Sequence, residues 1–287
     1  MKKLLLTGAS GLIGSHFIKK LAGTCEVHAI SRSPQPPEAG VTWHLMDLRR
    51  ELDCSQLPES IDTVVYLAQS EDFRDFPAKA QDVFRVNTEQ MLAFLDYAQR
   101  AGAQRFIYAS SGGVYGTGSD GFSEDFAIPA SGNLGFYLST KLCAEILAEN
   151  YRPYMHIISL RFFFVYGAGQ KRSMLVPRLV DNVRNGVAIK LQGADGIMIN
   201  PTHVSDAVMA LQAALSLEGF HKINVAGPEV LTLKGIAKII GDRLGVAPVF
   251  EHDMQVTPAN LIGDIENMKK HLNTPSRHFA AGLDDIL

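Results

Sequence analysis

A phenol and an ammonium group one helical turn apart carry the most specific chemistry in this sequence of 287 residues. Tyr137 and Lys141 are four positions apart, so on a helix their side chains project from the same face. A free phenol has a pKa of about 10, which is too high for efficient proton exchange at neutral pH. Because a neighbouring ammonium favours the phenolate, Lys141 is expected to lower the pKa of Tyr137 and make it a usable acid and base.

A hydroxyl group is expected close to this pair. Ser111 comes shortly after a predicted strand at residues 105–109, at the edge where open α/β sheets bind their ligands. Its hydroxyl can hydrogen-bond a substrate oxygen while Tyr137 gives or takes the proton, and Gly112 is expected to border the same substrate. Ser111, Tyr137 and Lys141 are therefore the predicted catalytic set.

A glycine-rich turn at residues 7–14, TGASGLIG, follows the first predicted strand and opens the first helix. Spaced glycines let the backbone turn sharply and approach a pyrophosphate, and the helix N-terminus offers free N–H groups to the phosphates. The turn is predicted to bind NAD(P); the alternative is a glycine-rich turn without a ligand. The residues predicted to contact the cofactor here are Gly8, Ser10, Gly11, Leu12, Ile13 and Gly14.

The residues at the ends of the second, third and fourth predicted strands indicate which dinucleotide is expected. The second strand runs into Arg32 with no carboxylate to hold a ribose 2′-hydroxyl, and the guanidinium fork suits a 2′-phosphate. NADP is therefore preferred over NAD, although Arg32 could equally be a solvent-facing residue at the start of a loop. The residues after the third and fourth strands are predicted to line the adenine side, or else are simple strand ends: Asp47, Leu48, Leu67 and Ala68.

Short apolar runs alternate with amphipathic stretches, which predicts an α/β fold with a Rossmann-type, doubly wound parallel sheet. Strands are expected at 3–7, 27–31, 42–46, 63–67, 105–109, 156–161 and 223–225. Helices are expected at 12–21, 80–100, 136–149, 175–185, 205–217 and 233–244, the last capped by Thr232 and stopped by Gly245. Residues 1–165 would form the NAD(P)-binding domain, with later segments returning to it. Residues 166–287 would form a smaller substrate-binding region.

Composition excludes several classes of partner. A formal net charge of −3 with scattered basic residues gives no reason to expect nucleic acid or an anionic membrane. The apolar run at residues 4–6 is too short for an export signal, and no stretch is long enough to span a membrane. Three distant cysteines suggest neither a disulfide framework nor a metal site, so we expect no metal and a cytoplasmic location.

Taken together, these residues resemble the extended short-chain dehydrogenase/reductase family, also called the NAD-dependent epimerase/dehydratase family. The resemblance covers nearly the whole chain. It includes the turn at 7–14, ASSGGVYG at 109–116, YLSTK at 137–141, LRFFFVYGAGQ at 160–170, HVSDAV at 203–208 and NVAGPE at 224–229.

This resemblance implies a Rossmann-type domain, a small C-terminal substrate domain and catalysis by Ser111 and Tyr137 with support from Lys141. It also implies that Asn87 shapes the central helix beside the cofactor. A homodimer through helices 80–100 and 136–149 is implied as well. The apolar stripe expected there, which suits an internal core face equally well, consists of Met91, Leu92 and Leu95.

Departures from the family pattern narrow the chemistry. Dehydratases carry an Asp-Glu pair where this chain has Gly112 and Gly113, so elimination of water is disfavoured and hydride transfer with proton transfer remains. Phe164 replaces the usual Asn, and Ile199 stands where an Arg holds the substrate diphosphate. Losing that cation removes a contact of about 1.5–3 kcal/mol. Arg178 is a candidate to supply it from another direction, as are Lys171 and Arg172.

Three functions follow from these residues. The favoured one is reduction or epimerisation of a keto or hydroxyl carbon of a sugar, with the substrate nucleotide-linked. The second is reduction of a smaller, less polar carbonyl compound, which Phe164 and Ile199 suggest. The third is a non-catalytic NADP sensor, which the retained Tyr137 and Lys141 disfavour.

Overall fold

The computed structural model describes residues 2–118, 121–128 and 134–287. The strands are β1 (Lys3–Thr7), β2 (Glu26–Ser31), β3 (Val41–Leu45), β4 (Thr63–Tyr66), β5 (Arg105–Ser111), β6 (Gly121–Phe122), β7 (His156–Phe162), β8 (Val165–Tyr166), β9 (Ile189–Gln192), β10 (Met198–Ile199), β11 (Thr202–His203), β12 (Phe220–Val225), β13 (Leu231–Thr232), β14 (Phe250–Asp253) and β15 (Ile262–Gly263). The α-helices are α1 (Leu12–Leu21), α2 (Ala80–Phe84), α3 (Gln90–Arg100), α4 (Phe136–Glu149), α5 (Leu175–Arg184), α6 (Val204–Ala214), α7 (Leu233–Leu244), α8 (Glu266–His271) and α9 (Phe279–Gly282).

The largest sheet in the described residues has seven strands in the order β12-β7-β5-β4-β1-β2-β3. From β3 to β5 every neighbouring pair is parallel. The central strands are continuous buried runs, because helices cover both faces of such a sheet. The strand order reverses between β1 and β4, and α/β folds bind ligands at this point of reversal. The predicted Rossmann-type fold is confirmed.

The helix predicted at residues 80–100 is not one regular α-helix. A π-helical segment, Arg85–Glu89, separates α2 from α3. Single π-turns inside α-helices occur frequently at functional sites. The polar side chains of Asn87 and Thr88 are buried in this segment, where apolar periodicity gives no sign of the change in hydrogen-bond pattern.

The chain divides into two compact units. The first comprises Met1–Val114, Pro129–Arg161 and Leu211–Ile223, and the second comprises Tyr115–Ile128, Phe162–Ala210 and Asn224–Leu287. The longer segments of the second unit follow residue 161, whereas the sequence analysis expected a boundary after residue 165. The second unit also includes residues 115–128, which the sequence analysis assigned to the first domain, and residues 211–223 belong to the first unit.

The second unit has its own apolar core, built around Tyr166, the buried face of α5 and the buried face of α7. Thr232 caps α7 by accepting from the Gly235 N–H at 3.0 Å, as predicted. The C-terminal tail, which lacks periodic signal, is held by buried acceptors: the Asp206 carboxylate accepts from the N–H groups of Ser276 and Arg277 at 3.2 and 3.0 Å. Across the described ranges, no helix is both long and apolar enough to cross a membrane.

Candidate active site

The glycine turn lies at the point where the strand order reverses. Gly8 has a φ of +66°, and a Cβ there would lie 2.8 Å from the Ala68 nitrogen and the Leu67 carbonyl carbon. A Cβ on Gly14 would lie 2.3 Å from the Gly8 oxygen. Gly11 is less crowded, with its nearest neighbour, the Gly8 oxygen, at 3.2 Å from such a Cβ. The close approach of β1, α1 and the end of β4 thus requires glycine at positions 8 and 14.

The N-terminus of α1 is open to an anion. Gly11 is its N-cap, no side chain caps it, and its first turn carries no acidic residue. Ser10 and Gly11 are exposed, and Leu12 and Ile13 are half-buried. Free N–H groups at a helix N-terminus bind phosphates. This backbone therefore fits a dinucleotide pyrophosphate, with NAD(P) supplying the hydride acceptor or donor when bound.

Arg32 is not a free cation. Its guanidinium pairs with the Glu71 carboxylate at 2.8 Å, and both side chains are about half exposed, at 46% and 50%. The carboxylate occupies the fork that was expected to meet a 2′-phosphate. The prediction of NADP over NAD therefore lacks the isolated positive charge on which it depended.

The Asp47 carboxylate is held in an ionised state beside the end of β3. Arg49 donates to it from Nε at 3.0 Å and from Nη2 at 2.7 Å, which lowers the pKa of Asp47 to about 2. Leu48 is buried in the core of the first unit, and Ala68 is buried beside the Gly8 turn. Leu67 is half-buried. Of the four residues predicted to line the adenine side, Asp47 and Leu67 are partly exposed to solvent.

Tyr137 lies in the first turn of α4, and its hydroxyl donates to the side-chain oxygen of Gln69 at 2.8 Å. Its ring packs against Phe73 at a centroid distance of 5.0 Å. Burial raises the pKa of Tyr137 in this state. The direction is opposite to the lowering expected from Lys141, because desolvation disfavours the phenolate.

Lys141 is 2% exposed, and its ammonium donates to the Ala109 carbonyl at 2.9 Å. It also lies 5.1 Å from the centre of the Tyr108 ring. Burial lowers the pKa of Lys141 to about 7, while the charge of Glu145 acts in the opposite direction. The hydrogen bond to Ala109 fixes α4 against the carboxyl end of β5, the strand that carries Ser111.

Ser111 is the last residue of β5, and its hydroxyl accepts from the Gly113 N–H at 3.2 Å. Gly112 and Gly113 begin a 3₁₀ turn, residues Gly112–Tyr115. A Cβ on Gly113 would lie 2.7 Å from a methyl group of Leu138 on α4. Glycine here lets the turn pack closely on α4, so an acidic side chain would fit only if Leu138 moved.

Asn87 is fully buried and bridges three elements. Its side-chain oxygen accepts from the Ser70 N–H at 2.9 Å, and its amide donates to the Thr140 hydroxyl at 3.0 Å. Both functional ends of the side chain are therefore occupied by the protein. Asn87 thereby positions the loop after β4 and the start of α4.

Of the predicted substrate residues, Ser111 and Gly112 belong to the first unit, and Phe164 and Arg178 belong to the second. Phe164 has a φ of +41°, a region in which bulky residues are rare and strained. Ile199 is fully buried in the core of the second unit and offers no charge to a diphosphate. Arg178 is exposed on α5, whereas Arg172 pairs with Asp181.

Two residues beside the reacting groups were missed from the sequence. Gln69 contacts the Tyr137 hydroxyl, and Glu71 pairs with Arg32. Both follow directly after Leu67 and Ala68, at the carboxyl end of β4. Their position in the sequence, at the end of a strand where α/β sheets bind ligands, could have identified them as site residues.

Comparison with known proteins agrees with this arrangement. The model of the NAD dependent epimerase/dehydratase family matches residues 4–226. A Bacillus subtilis (strain 168) protein named as an uncharacterized UDP-glucose epimerase, YtcB, is 26% identical over 94% of this chain and 92% of its own. The dTDP-4-dehydro-6-deoxy-D-allose reductase of Streptomyces sp is 25% identical over 99% of this chain and 94% of its own.

Solved structures show the same likeness. MoeE5 in complex with UDP-glucuronic acid and NAD superimposes with a TM-score of 0.85 at 27% identity, covering 99% of this chain and 97% of that one. The family model covers well over half of the sequence, and the glycine turn, the Tyr137–Lys141 pair and Ser111 all lie within the matched residues. This chain belongs to the NAD dependent epimerase/dehydratase family.

Proposed function

We propose that this protein is an NAD(P)-dependent oxidoreductase or epimerase that acts on a hydroxyl or keto carbon of a nucleotide-linked sugar. The observation that carries this proposal is the placement of Tyr137 and Lys141 on α4, against the carboxyl end of β5. The same edge of the sheet carries the open phosphate-binding turn after β1.

Each side chain then has a role. The Tyr137 hydroxyl gives its proton to a substrate carbonyl oxygen during reduction, or takes one from a hydroxyl during oxidation. Ser111 hydrogen-bonds the same oxygen. Lys141 keeps a positive charge behind the phenol, which favours the phenolate when proton transfer requires it. Gln69 accepts a hydrogen bond from the Tyr137 O–H, so this O–H must exchange the amide oxygen for the substrate oxygen before it can react.

A nucleotide-linked sugar is the substrate class that the relatives support. YtcB is named for UDP-glucose, the Streptomyces relative for a dTDP-linked deoxysugar, and MoeE5 was solved with UDP-glucuronic acid. With Ile199 buried, the diphosphate needs another cation, and Arg178 on the exposed side of α5 is the residue we assign to it.

The dinucleotide preference remains to be tested. MoeE5 was solved with NAD, and the Glu71 carboxylate beside Arg32 opposes a 2′-phosphate. Arg32 alone would favour NADP. We therefore propose that the opposing charges of Arg32 and Glu71 determine whether NAD or NADP binds more tightly. Preference for NADP is a prediction.

The test begins with mass spectrometry of the dinucleotide released from the denatured protein. The protein is then incubated with UDP-glucose, UDP-glucuronic acid or a dTDP-4-dehydro-6-deoxy sugar. An epimerase forms the 4-epimer without net NADH production, and a reductase oxidises NAD(P)H with the keto sugar. Tyr137→Phe is expected to abolish either reaction. Tyr154→Phe, which changes an exposed tyrosine, is the matched control. Undiminished turnover by Tyr137→Phe would refute the assignment.

A smaller carbonyl substrate is the second candidate, and two features favour it. Phe164 replaces a polar residue by an aromatic one in a strained conformation, and Ile199 offers no charge. Under this alternative, UDP and dTDP would fail to raise the melting temperature while apolar ketones would oxidise NAD(P)H. A pure NADP sensor is disfavoured, because the complete acid and base pair is in place.

We also propose a homodimer in the cytoplasm. Of the predicted apolar stripe, Met91 and Leu95 are fully buried in the core of the first unit, whereas Leu92 on α3 remains exposed. Ile146 on α4 is exposed as well. Light scattering should give twice the chain mass for the wild type and a monomer for Leu92→Glu with Ile146→Glu. A monomeric wild type would contradict this proposal.

A further inference from the structure

A buried ion pair joins α4, the helix that carries Tyr137 and Lys141, to β7. Glu145 and Arg161 are almost completely enclosed, with side-chain exposures of 1% and 3%. The guanidinium donates to the carboxylate in a fork, from Nε at 3.0 Å and from Nη2 at 2.6 Å. Glu145 belongs to α4, and Arg161 belongs to β7, the strand beside β5 in the sheet.

The position of this pair relative to Lys141 is the central observation. Glu145 follows Lys141 by four residues on the same helix, so both side chains lie on one face of α4. Both are enclosed between that helix and the sheet. Within the part of the chain that the structure describes, the ammonium of Lys141 donates to the Ala109 carbonyl at 2.9 Å.

A buried ammonium needs a nearby negative charge, because desolvation disfavours its charged form. Tyr108 on β5 and Glu145 on its own helix act on Lys141 directly. Tyr137 and Cys143 on α4 act electrostatically on Tyr108, and Arg161 on β7 pairs with Glu145. Glu145 is the carboxylate in this group. Its charge raises the pKa of Lys141 against the effect of burial.

We propose that the Glu145–Arg161 pair is a positioning element for Lys141, in which Glu145 supplies the counter-charge for the buried ammonium. Arg161 holds the buried Glu145 carboxylate through hydrogen bonds from Nε and Nη2. The inference rests on the proposed function, since an ammonium behind Tyr137 matters only if Tyr137 exchanges protons. A purely structural pair would tie α4 to β7 without affecting the charge of Lys141.

The proposal predicts a specific effect of removing the pair. Glu145→Gln alone would leave the Arg161 charge buried and unpaired, which strongly destabilises a fold. The informative variant is therefore Glu145→Gln with Arg161→Gln, two neutral side chains that can hydrogen-bond each other. Without the Glu145 charge, Lys141 should lose its proton at a lower pH. An opposite charge in close contact shifts a pKa by about one unit or more, and the simultaneous loss of the Arg161 charge reduces this shift.

The experiment follows the Lys141 side chain by NMR, in protein that carries 13C at the lysine Cε position. Lys141→Met identifies the signal, and the signal is titrated in the purified protein with its bound dinucleotide. Glu149→Gln is the matched control: it removes the same charge one turn further along α4, where Glu149 is partly exposed and pairs with Lys222 at 3.1 Å. The alkaline limb of turnover is recorded for the same proteins.

We expect the Lys141 midpoint and the alkaline limb to move to lower pH in the double variant and to stay in place in Glu149→Gln. An unchanged Lys141 midpoint in a folded double variant, verified by circular dichroism, would overturn the inference. The two proposals fail separately. A shifted midpoint in a protein that turns over no sugar would support the counter-charge and refute the proposed function. Turnover that keeps its alkaline limb in the double variant would refute the positioning role alone.

Discussion

The ion pair between Arg32 and Glu71 gives the sharpest test of dinucleotide choice. In the wild type, the Glu71 carboxylate occupies the Arg32 fork and would face the 2′-phosphate of NADP. Glu71→Gln removes that carboxylate, which frees the guanidinium and ends one charge repulsion. Binding of NADPH should therefore strengthen, while NADH, which lacks the 2′-phosphate, should bind almost as before.

The magnitude follows from the exposure of the pair. Both side chains are about half in solvent, at 46% and 50%, so each charge contact is worth about 0.5–1 kcal/mol. Glu71→Gln changes two contacts of the NADPH 2′-phosphate: it frees the Arg32 guanidinium and removes the repulsion from Glu71. The total is about 1–2 kcal/mol, which corresponds to about 5–30-fold in the ratio of the NADPH and NADH dissociation constants. Arg32→Ala should move the same ratio toward NADH, and added salt should reduce both effects.

Titration of NADH and NADPH fluorescence with dinucleotide-stripped protein measures this ratio without any knowledge of the substrate. Glu89→Gln is the control, since it removes another exposed carboxylate that pairs with an arginine, Arg85, on the helix. If Glu71→Gln and Arg32→Ala both leave the NADPH to NADH ratio within twofold of the wild type, these two charges do not read the 2′-position.

Three further predictions concern the turn, the phenol and the ammonium. Gly14→Ala should lower the urea midpoint of unfolding and abolish NADH binding, because its Cβ would meet the Gly8 oxygen at 2.3 Å; unaltered binding would contradict this. Gln69→Leu removes the acceptor that favours the neutral phenol, so the pKa of Tyr137 should fall in ultraviolet difference titration against Tyr137→Phe, and a rise would count against the contact. Lys141→Met should be more stable than the wild type at pH 6, where the buried ammonium carries its full desolvation cost. Burial lowers the pKa of Lys141 from 10.5 to about 7, so the folded wild type releases this proton at lower pH than the unfolded chain does. The free energy of unfolding of the wild type therefore increases between pH 7 and pH 10.5. The stability advantage of Lys141→Met should accordingly shrink toward pH 10. A difference independent of pH would refute the burial argument.

Local patterns in the sequence determined the frame of this protein. The strand Lys3–Thr7 and the helices Leu12–Leu21 and Phe136–Glu149 have the predicted bounds, because apolar periodicity, glycines and caps act within a few residues. The glycine turn was recognisable for the same reason. Tyr137 and Lys141 share a face of α4 because helix geometry alone places positions four apart together.

Tertiary structure decided the partners and charge states of these side chains. Gln69 reaches the Tyr137 hydroxyl, and Glu71 pairs with Arg32, only because the strand order places the end of β4 beside β1. The π-helical segment that buries Asn87 likewise depends on packing between distant segments, as does the burial of Lys141. Desolvation and contact between residues far apart in sequence set these properties, and such effects leave no trace in local periodicity. The sequence thus determined which groups could react, and the fold decided which charges and hydrogen bonds surround them.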